Sequence, residues 1–225
     1  MEYTIEGGNL PIVRIAMERG EAVKCESGAM AWMDDGIVME TKSGGFGKAF
    51  GRLFSGESIF LNEYHAQRAG EIVFTTSLPG NIMAIEVWPD KPVIMQKGAF
   101  LACTPGVELS VYLQKKLGSG FFGGEGFVMQ KAEGSGTLFL EIDGSAHEYY
   151  LQPGERKIID TGYLAMMDGT CRMDVEQVKG VKNMLFGGEG MFNTVVTGPG
   201  RIILQSMPVS SFAMMIYSHI PHPSN

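Results

Sequence analysis

The chain writes one short motif three times. Phe54-Ser55-Gly56-Glu57-Ser58, Phe122-Gly123-Gly124-Glu125-Gly126 and Phe186-Gly187-Gly188-Glu189-Gly190 follow one another at intervals of 68 and 64 residues. The likeness extends into the flanks. Each copy begins at a glycine (Gly28, Gly98 or Gly162) followed by an apolar stretch, 29–33, 99–103 or 163–167. Next comes a turn dipeptide, Asp35-Gly36, Pro105-Gly106 or Asp168-Gly169. It reads as the reversal of a hairpin, because glycine reaches positive φ at little cost. After the phenylalanine motif stands a strand-like run, 58–62, 127–130 or 191–196, and Gly70, Gly136 and Gly200 then open a last run, 71–76, 137–142 or 201–206. Self-similarity at a period of this length restricts the chain to an array of repeated β units before any particular fold is considered.

Composition agrees. The 31 glycines and 10 prolines, set among short β-branched and aromatic runs, favour many strands and tight turns over a helical bundle. A chain of 225 residues buries roughly 70% of its unfolded surface, so no disulfide or metal is needed to staple it. The expected fold class is all-β: three tandem compact β-sandwich or short double-stranded β-helix units in a pseudo-threefold arrangement. The units are placed at 1–88, 89–152 and 153–225, the last carrying a C-terminal strand and a short tail. Strands at 3–6 and 13–17 are expected to pair with 209–217 and close the subunit.

The three cysteines, Cys25, Cys103 and Cys171, form no Cys-x-x-Cys pair and read as apolar fillers in a reducing compartment. Met30, Met33, Met166 and Met167 read likewise as core methionines. The start, Met1-Glu2-Tyr3-Thr4, lacks the basic and apolar regions of a secretory signal. The apolar stretch 212–217 is too short to cross a bilayer. A cytoplasmic protein without a transmembrane segment is expected.

Two sets of repeated side chains are candidate ligand-binding residues. Glu57, Glu125 and Glu189 either accept backbone N–H bonds at their turns or gather around the pseudo-threefold axis to hold a cation. The turn reading is favoured, since each copy supplies one carboxylate and a calcium or magnesium site wants several oxygens in one loop. Ahead of the motif lie basic residues: Lys48 and Arg52, then Lys115 and Lys116, then Lys179 and Lys182. Phe46, Phe50 and Phe54 at i, i+4, i+8 suggest a short amphipathic helix with Lys48 and Arg52 on its solvated face. A ring of such patches would suit nucleic acid, but a net charge of −7 removes the long-range attraction that most nucleic-acid binders exploit. Nucleic acid is therefore disfavoured without being ruled out.

Enzyme motifs fail when tried. Gly44-Gly45-Phe46-Gly47-Lys48-Ala49 misplaces the first glycine of a phosphate loop, and Ala49 replaces the hydroxyl that should hold magnesium. Gly45-Phe46-Gly47 does not continue to a dinucleotide fingerprint, because Phe50 occupies the third glycine's place. His65 and His147 belong to no His-x-His pair, and His219 and His222 sit at a proline-rich tail. Nothing resembles Gly-x-Ser-x-Gly. No catalytic residue, metal site or cofactor is assigned.

The repeated Gly-Glu motif, Glu26-Ser27-Gly28-Ala29-Met30 and Gly56-Glu57-Ser58-Ile59-Phe60-Leu61 together resemble the altered-inheritance-of-mitochondria protein twenty-four family, over residues 3–217. The resemblance implies a fold similar to the tryptophan RNA-binding attenuation protein (TRAP), present three times per subunit, and a homotrimer in which three such subunits make a ring. Mitochondrial members of that family are associated with inner-membrane organisation, whereas this chain shows no Arg-rich presequence. The family supplies no catalytic residues to carry over. The expected function is thus a noncatalytic ring-forming scaffold or interaction protein with an unknown protein partner. The alternative is a small-molecule or nucleic-acid binder using clefts between units, and an enzyme with sites built across subunit boundaries stays open.

Overall fold

A computed structural model describes residues 1–40, 61–115, 127–177 and 192–220. The fold is all-β, with nineteen strands and one short α-helix among the described residues. The strands are β1 (Glu2–Glu6), β2 (Ile12–Met17), β3 (Ala22–Glu26), β4 (Met30–Met33), β5 (Ile37–Glu40), β6 (Leu61–Ala66), β7 (Gly70–Thr75), β8 (Gly80–Val87), β9 (Val93–Gln96) and β10 (Phe100–Cys103). They continue as β11 (Val107–Lys115), β12 (Phe127–Gly134), β13 (Gly136–Asp143), β14 (Ala146–Leu151), β15 (Arg156–Asp160), β16 (Leu164–Asp168), β17 (Arg172–Gln177), β18 (Phe192–Thr197) and β19 (Gly200–Gln205), and the helix α1 spans Val209–His219.

All the pairing is antiparallel, and the same arrangement occurs in three places. β7 lies between β2 and β4, β13 between β8 and β10, and β19 between β14 and β16. Likewise β6 lies between β3 and β5, β12 between β9 and β11, and β18 between β15 and β17. The equivalence holds at the level of single residues. A register shift interrupts β4 between Met30 and Trp32, β10 between Phe100 and Ala102, and β16 between Leu164 and Met166.

The turn dipeptides do not make hairpins. β4 pairs with β7 and β5 with β6, so the turn at Asp35-Gly36 hands the chain from one sheet to another. Pro105-Gly106 does the same between β10 and β11, and Asp168-Gly169 between β16 and β17. Each corner is locked by one side chain. Asp34 Oδ2 accepts the Glu71 N–H at 2.9 Å, Thr104 Oγ1 the Thr137 N–H at 3.0 Å, and Asp168 Oδ2 the Arg201 N–H at 2.8 Å. Asp168 is therefore the counterpart of Asp34, one position off the sequence alignment of the two Asp-Gly pairs. The same corners explain two of the glycines that open the last runs. Gly136 and Gly200 have φ of +152° and +146°, and a Cβ on Gly136 would stand 2.0 Å from the corner hydroxyl of Thr104.

The N-terminal strands do not meet the C-terminal segment. β1 and β2 pair with each other and β2 with β7, while Val209–His219 is helical. The reason is local. Phe212-Ala213-Met214-Met215 is a run without β-branched residues, Pro208 precedes the first helical residue, and Asp143 Oδ2 accepts the Val209 N–H at 3.0 Å. No described helix is long and apolar enough to cross a membrane.

The core forms where successive strand groups meet. Phe139 of β13 packs with Leu101, Ala102, Phe74, Ile72 and Val23, and the Tyr3 ring stands edge-on to it at 4.9 Å. With Phe139 only 1% exposed, Phe139→Ala is expected to cost about 3–5 kcal/mol in a urea unfolding titration.

Candidate interaction surface

Eight of the nine candidate residues read from the sequence, Lys48, Arg52, Glu57, Lys116, Glu125, Lys179, Lys182 and Glu189, lie outside the described residues, as does the proposed helix around Phe46, Phe50 and Phe54. Lys115 closes β11, its backbone opposite Phe127. The segments holding these residues link the antiparallel pairs β5·β6, β11·β12 and β17·β18.

What the described residues do display is a set of seams. Strand order in one sheet is β5-β6-β3-β10-β13-β8, and in a second β11-β12-β9-β16-β19-β14. Each is two three-stranded halves zipped together, at β3·β10 in the first and β9·β16 in the second. The registers correspond: Ala102 faces Cys25 and Cys103 faces Lys24 at one seam, Met166 faces Met95 and Met167 faces Ile94 at the other. Both seams are dry. Phe100, Leu101, Ala102 and Cys103 are no more than 1% exposed, and Leu164, Ala165, Met166 and Met167 are fully buried.

A polar plug sits at each seam. At the second, Gln205 donates from Nε2 to the Gly162 carbonyl at 2.9 Å and toward Gln96 Oε1 at 3.4 Å, while its own Oε1 accepts the Asp143 N–H at 3.2 Å. At the first, the corresponding residue is Glu141, which accepts the Ser77 N–H at 2.8 Å. Burial pushes the Glu141 carboxyl up to about 7; the Ser77 N–H and hydroxyl pull it down, and Asp143 and Glu26 push it further up. Below about pH 7 the group is chiefly a neutral carboxylic acid, standing where the other seam has its glutamine and accepting the Ser77 N–H.

Two half-sheets, one of four strands and one of three, are left unzipped. β4 ends the sheet ordered β1-β2-β7-β4, and β15 ends the sheet β15-β18-β17. β4 is the counterpart of β10 and β16, and β15 the counterpart of β3 and β9, yet neither has a partner strand on its outer side among the described residues. Exposure follows: Trp32 on β4 is 49% exposed and Ile158 on β15 is 67% exposed. The Arg14 guanidinium, held by Glu71 at 2.7 Å, stands 5.8 Å from the Trp32 ring.

Features that would support catalysis are sparse. His65 Nε2 lies 3.4 Å from Glu63 and 3.7 Å from Glu40, a histidine between two carboxylates on β5 and β6 that the search for His-x-His spacing passed over. No group of three or more potential ligands placed to hold a metal exists among the described residues. Cys25, Cys103 and Cys171 are buried and free, as the filler reading expects, and burial pushes their thiols up to about 12, 12 and 11. A cleft of about 470 Å³ is lined by Trp88, Lys91, Tyr150, Asp168 and Arg201.

Fold and edges together define an all-β protein whose sheets are shared between successive six-strand groups. The chain belongs to the mitochondrial biogenesis AIM24 family, whose model matches residues 3–207. It is 30% identical over 236 residues to an uncharacterized protein of Streptococcus pyogenes serotype M6, covering 100% of this chain and 93% of that one. It is also similar to the X-ray crystal structure of a Streptococcus pyogenes protein from a structural genomics consortium. That match has a TM-score of 0.82 at 26% identity and covers 97% of this chain and 99% of the other.

Glu141 makes stability depend on pH in a defined direction. Its folded pKa stands above the unfolded value of 4.5, so below about pH 4.5 the group is neutral in both states. As pH rises toward 7 the unfolded state releases its proton first, and up to about 3 kcal/mol of stability is lost. Glu141→Gln is expected to match the wild type at pH 4.5 and to unfold at higher urea concentration at pH 8. Equal midpoints at both pH values would contradict this account of the plug.

Proposed function

We propose that this chain is a noncatalytic, ring-forming scaffold or interaction protein. In this reading it is an internal triplicate whose three TRAP-like units stand in pseudo-threefold relation and assemble as a homotrimer. The observation that carries it is the pair of unzipped half-sheets, β4 at one end of the chain and β15 at the other. An uncovered strand edge that carries no charge invites another strand, and β4 reads Met-Ala-Trp-Met. Head-to-tail association through two different edges yields a closed ring when the rotation closes. The three corners locked by Asp34, Thr104 and Asp168 support the triplicate reading.

An interaction role is also favoured by α1. It has no buried residue, and Val209, Met214, Met215, Ile216 and Tyr217 are all more than 40% exposed. Apolar exposure of this kind marks contact surfaces. A cytoplasmic location is part of the proposal, consistent with three unpaired cysteines. The second reading, a small-molecule binder, is favoured by one observation, the cleft where Trp88 and Tyr150 accompany Lys91 and Arg201.

Mass measured in solution, by light scattering across a tenfold range of concentration, tests the proposal. The expected value is three times the 24.5 kDa of one chain. A monomer throughout the range defeats it. Mass spectrometry of what leaves the protein on denaturation separates the two readings, since a recurrent small molecule would replace the scaffold with the binder.

A further inference from the structure

We propose that β15 of one copy zips to β4 of a second copy in the register of the internal seams, so that Trp32 faces Ile159, Met33 faces Ile158 and Asp34 faces Lys157. The proposal rests on reading the chain as a ring-forming subunit and names the contact that closes the ring.

The register follows from equivalence, residue by residue. Met30, Phe100 and Leu164 precede the bulge in β4, β10 and β16, so Trp32, Ala102 and Met166 correspond. On the other half, Lys24 pairs with Glu63, Ile94 with Lys131 and Ile158 with Val195, which makes Lys24, Ile94 and Ile158 correspond. At the built seams Cys103 faces Lys24 and Met167 faces Ile94. The third member of that series is Met33 facing Ile158. One position on, Asp168 faces Val93 at the second seam, and the same step brings Asp34 opposite Lys157, a pair of opposite charges.

Three physical features fit a second copy as the occupant. The two half-sheets supply three strands, β15, β18 and β17, and four, β1, β2, β7 and β4. Joined, they would give a sheet of the same construction as the two internal ones, with β1 added at its rim. The edges carry exposed apolar side chains where the internal seams are closed: Trp32 stands at the place of Ala102 and Met166, both fully buried, and Ile158 at the place of Ile94, 2% exposed, and of Lys24, which is held by Glu108 at 3.0 Å. Finally, the positions that end the built sheets are β5, β8, β11 and β14, never a strand of the β4 or β15 type. A β4-type or β15-type strand at an edge is an interior strand without its neighbour.

The test is a disulfide placed across the proposed seam in the full chain. Met33→Cys with Ile158→Cys is oxidised and run without reductant beside a register control, Met33→Cys with Ile159→Cys, whose second site faces Trp32 and belongs to the opposite side of the sheet. The buried native thiols leave the engineered pair as the reactive one. The expected result is a covalent ladder from the test pair that stops at the mass the unmodified protein shows in solution, with the control at least tenfold weaker.

Cross-linking by the control alone would overturn the register. A disulfide within a single chain would overturn the second copy as partner. An assembly of unchanged mass with neither pair cross-linked would overturn this contact and leave the scaffold reading standing. A wild-type monomer would remove the scaffold reading itself. Trp32→Asp, which puts a charge where the internal seams hold the buried Ala102 and Met166, at a side chain 49% exposed in the single chain, gives an independent reading: a folded protein by circular dichroism with its assembly lost is expected, and an intact assembly overturns the proposal.

Discussion

Antiparallel pairing at two seams, β3·β10 and β9·β16, holds the three strand groups of this chain together, and the rest of the structure is arranged to keep those seams dry. A backbone amide or carbonyl buried without a partner costs more than a made hydrogen bond contributes, so a strand in the middle of a packed molecule must have neighbours on both sides. β10 and β16 meet that condition by borrowing a neighbour from the preceding group. The core clusters follow the same logic: one combines β2, β3 and β7 side chains with Leu101, Ala102 and Phe139, and another sets Ala165, Met166 and Ile203 against Val93, Met95 and Phe100. No strand group owns its core alone.

That arrangement accounts for the corners. A chain that contributes to two sheets must change sheets within a few residues, and Asp34, Thr104 and Asp168 each fix the change with one side-chain acceptor. Glycine at 136 and 200 lets the backbone approach that acceptor. The phenylalanine motif lies between β5 and β6, β11 and β12, and β17 and β18 in the order of the sequence, outside the described residues.

How far the sequence foretold this can be judged from particular residues. The all-β class was legible, because Gly70, Gly136 and Gly200 and the apolar runs after Gly28, Gly98 and Gly162 mark strands that all form. The hairpins were misread, because Asp-Gly says that the chain turns and not which strand it will pair with afterwards; that choice is made by contacts far away in sequence. The strand expected at 209–217 became a helix, since an apolar stretch of that length carries no decisive period and capping by Asp143 comes from another strand. Cysteine burial was legible from the lack of ligand spacing. The buried Glu141 left no signal, because a glutamate in a strand looks the same whether it faces water or the interior. Eight of the nine site residues chosen from the sequence fall outside the described residues and the ninth, Lys115, closes β11, so the surface that stands out is one of backbone edges, which no residue pattern announces.

Glu141 and the Gln96–Gln205 pair fill equivalent places with different chemistry. Strand groups that share one order of pairing run the danger of exchanging partners while they fold, since each half-sheet could mate with the wrong complement. An acid at one junction and a matched pair of amides at the other make the junctions distinguishable, so that mispairing strands a proton or an amide in an apolar interface. Small polar differences thus act as addresses, ordering modules that shape alone would leave interchangeable.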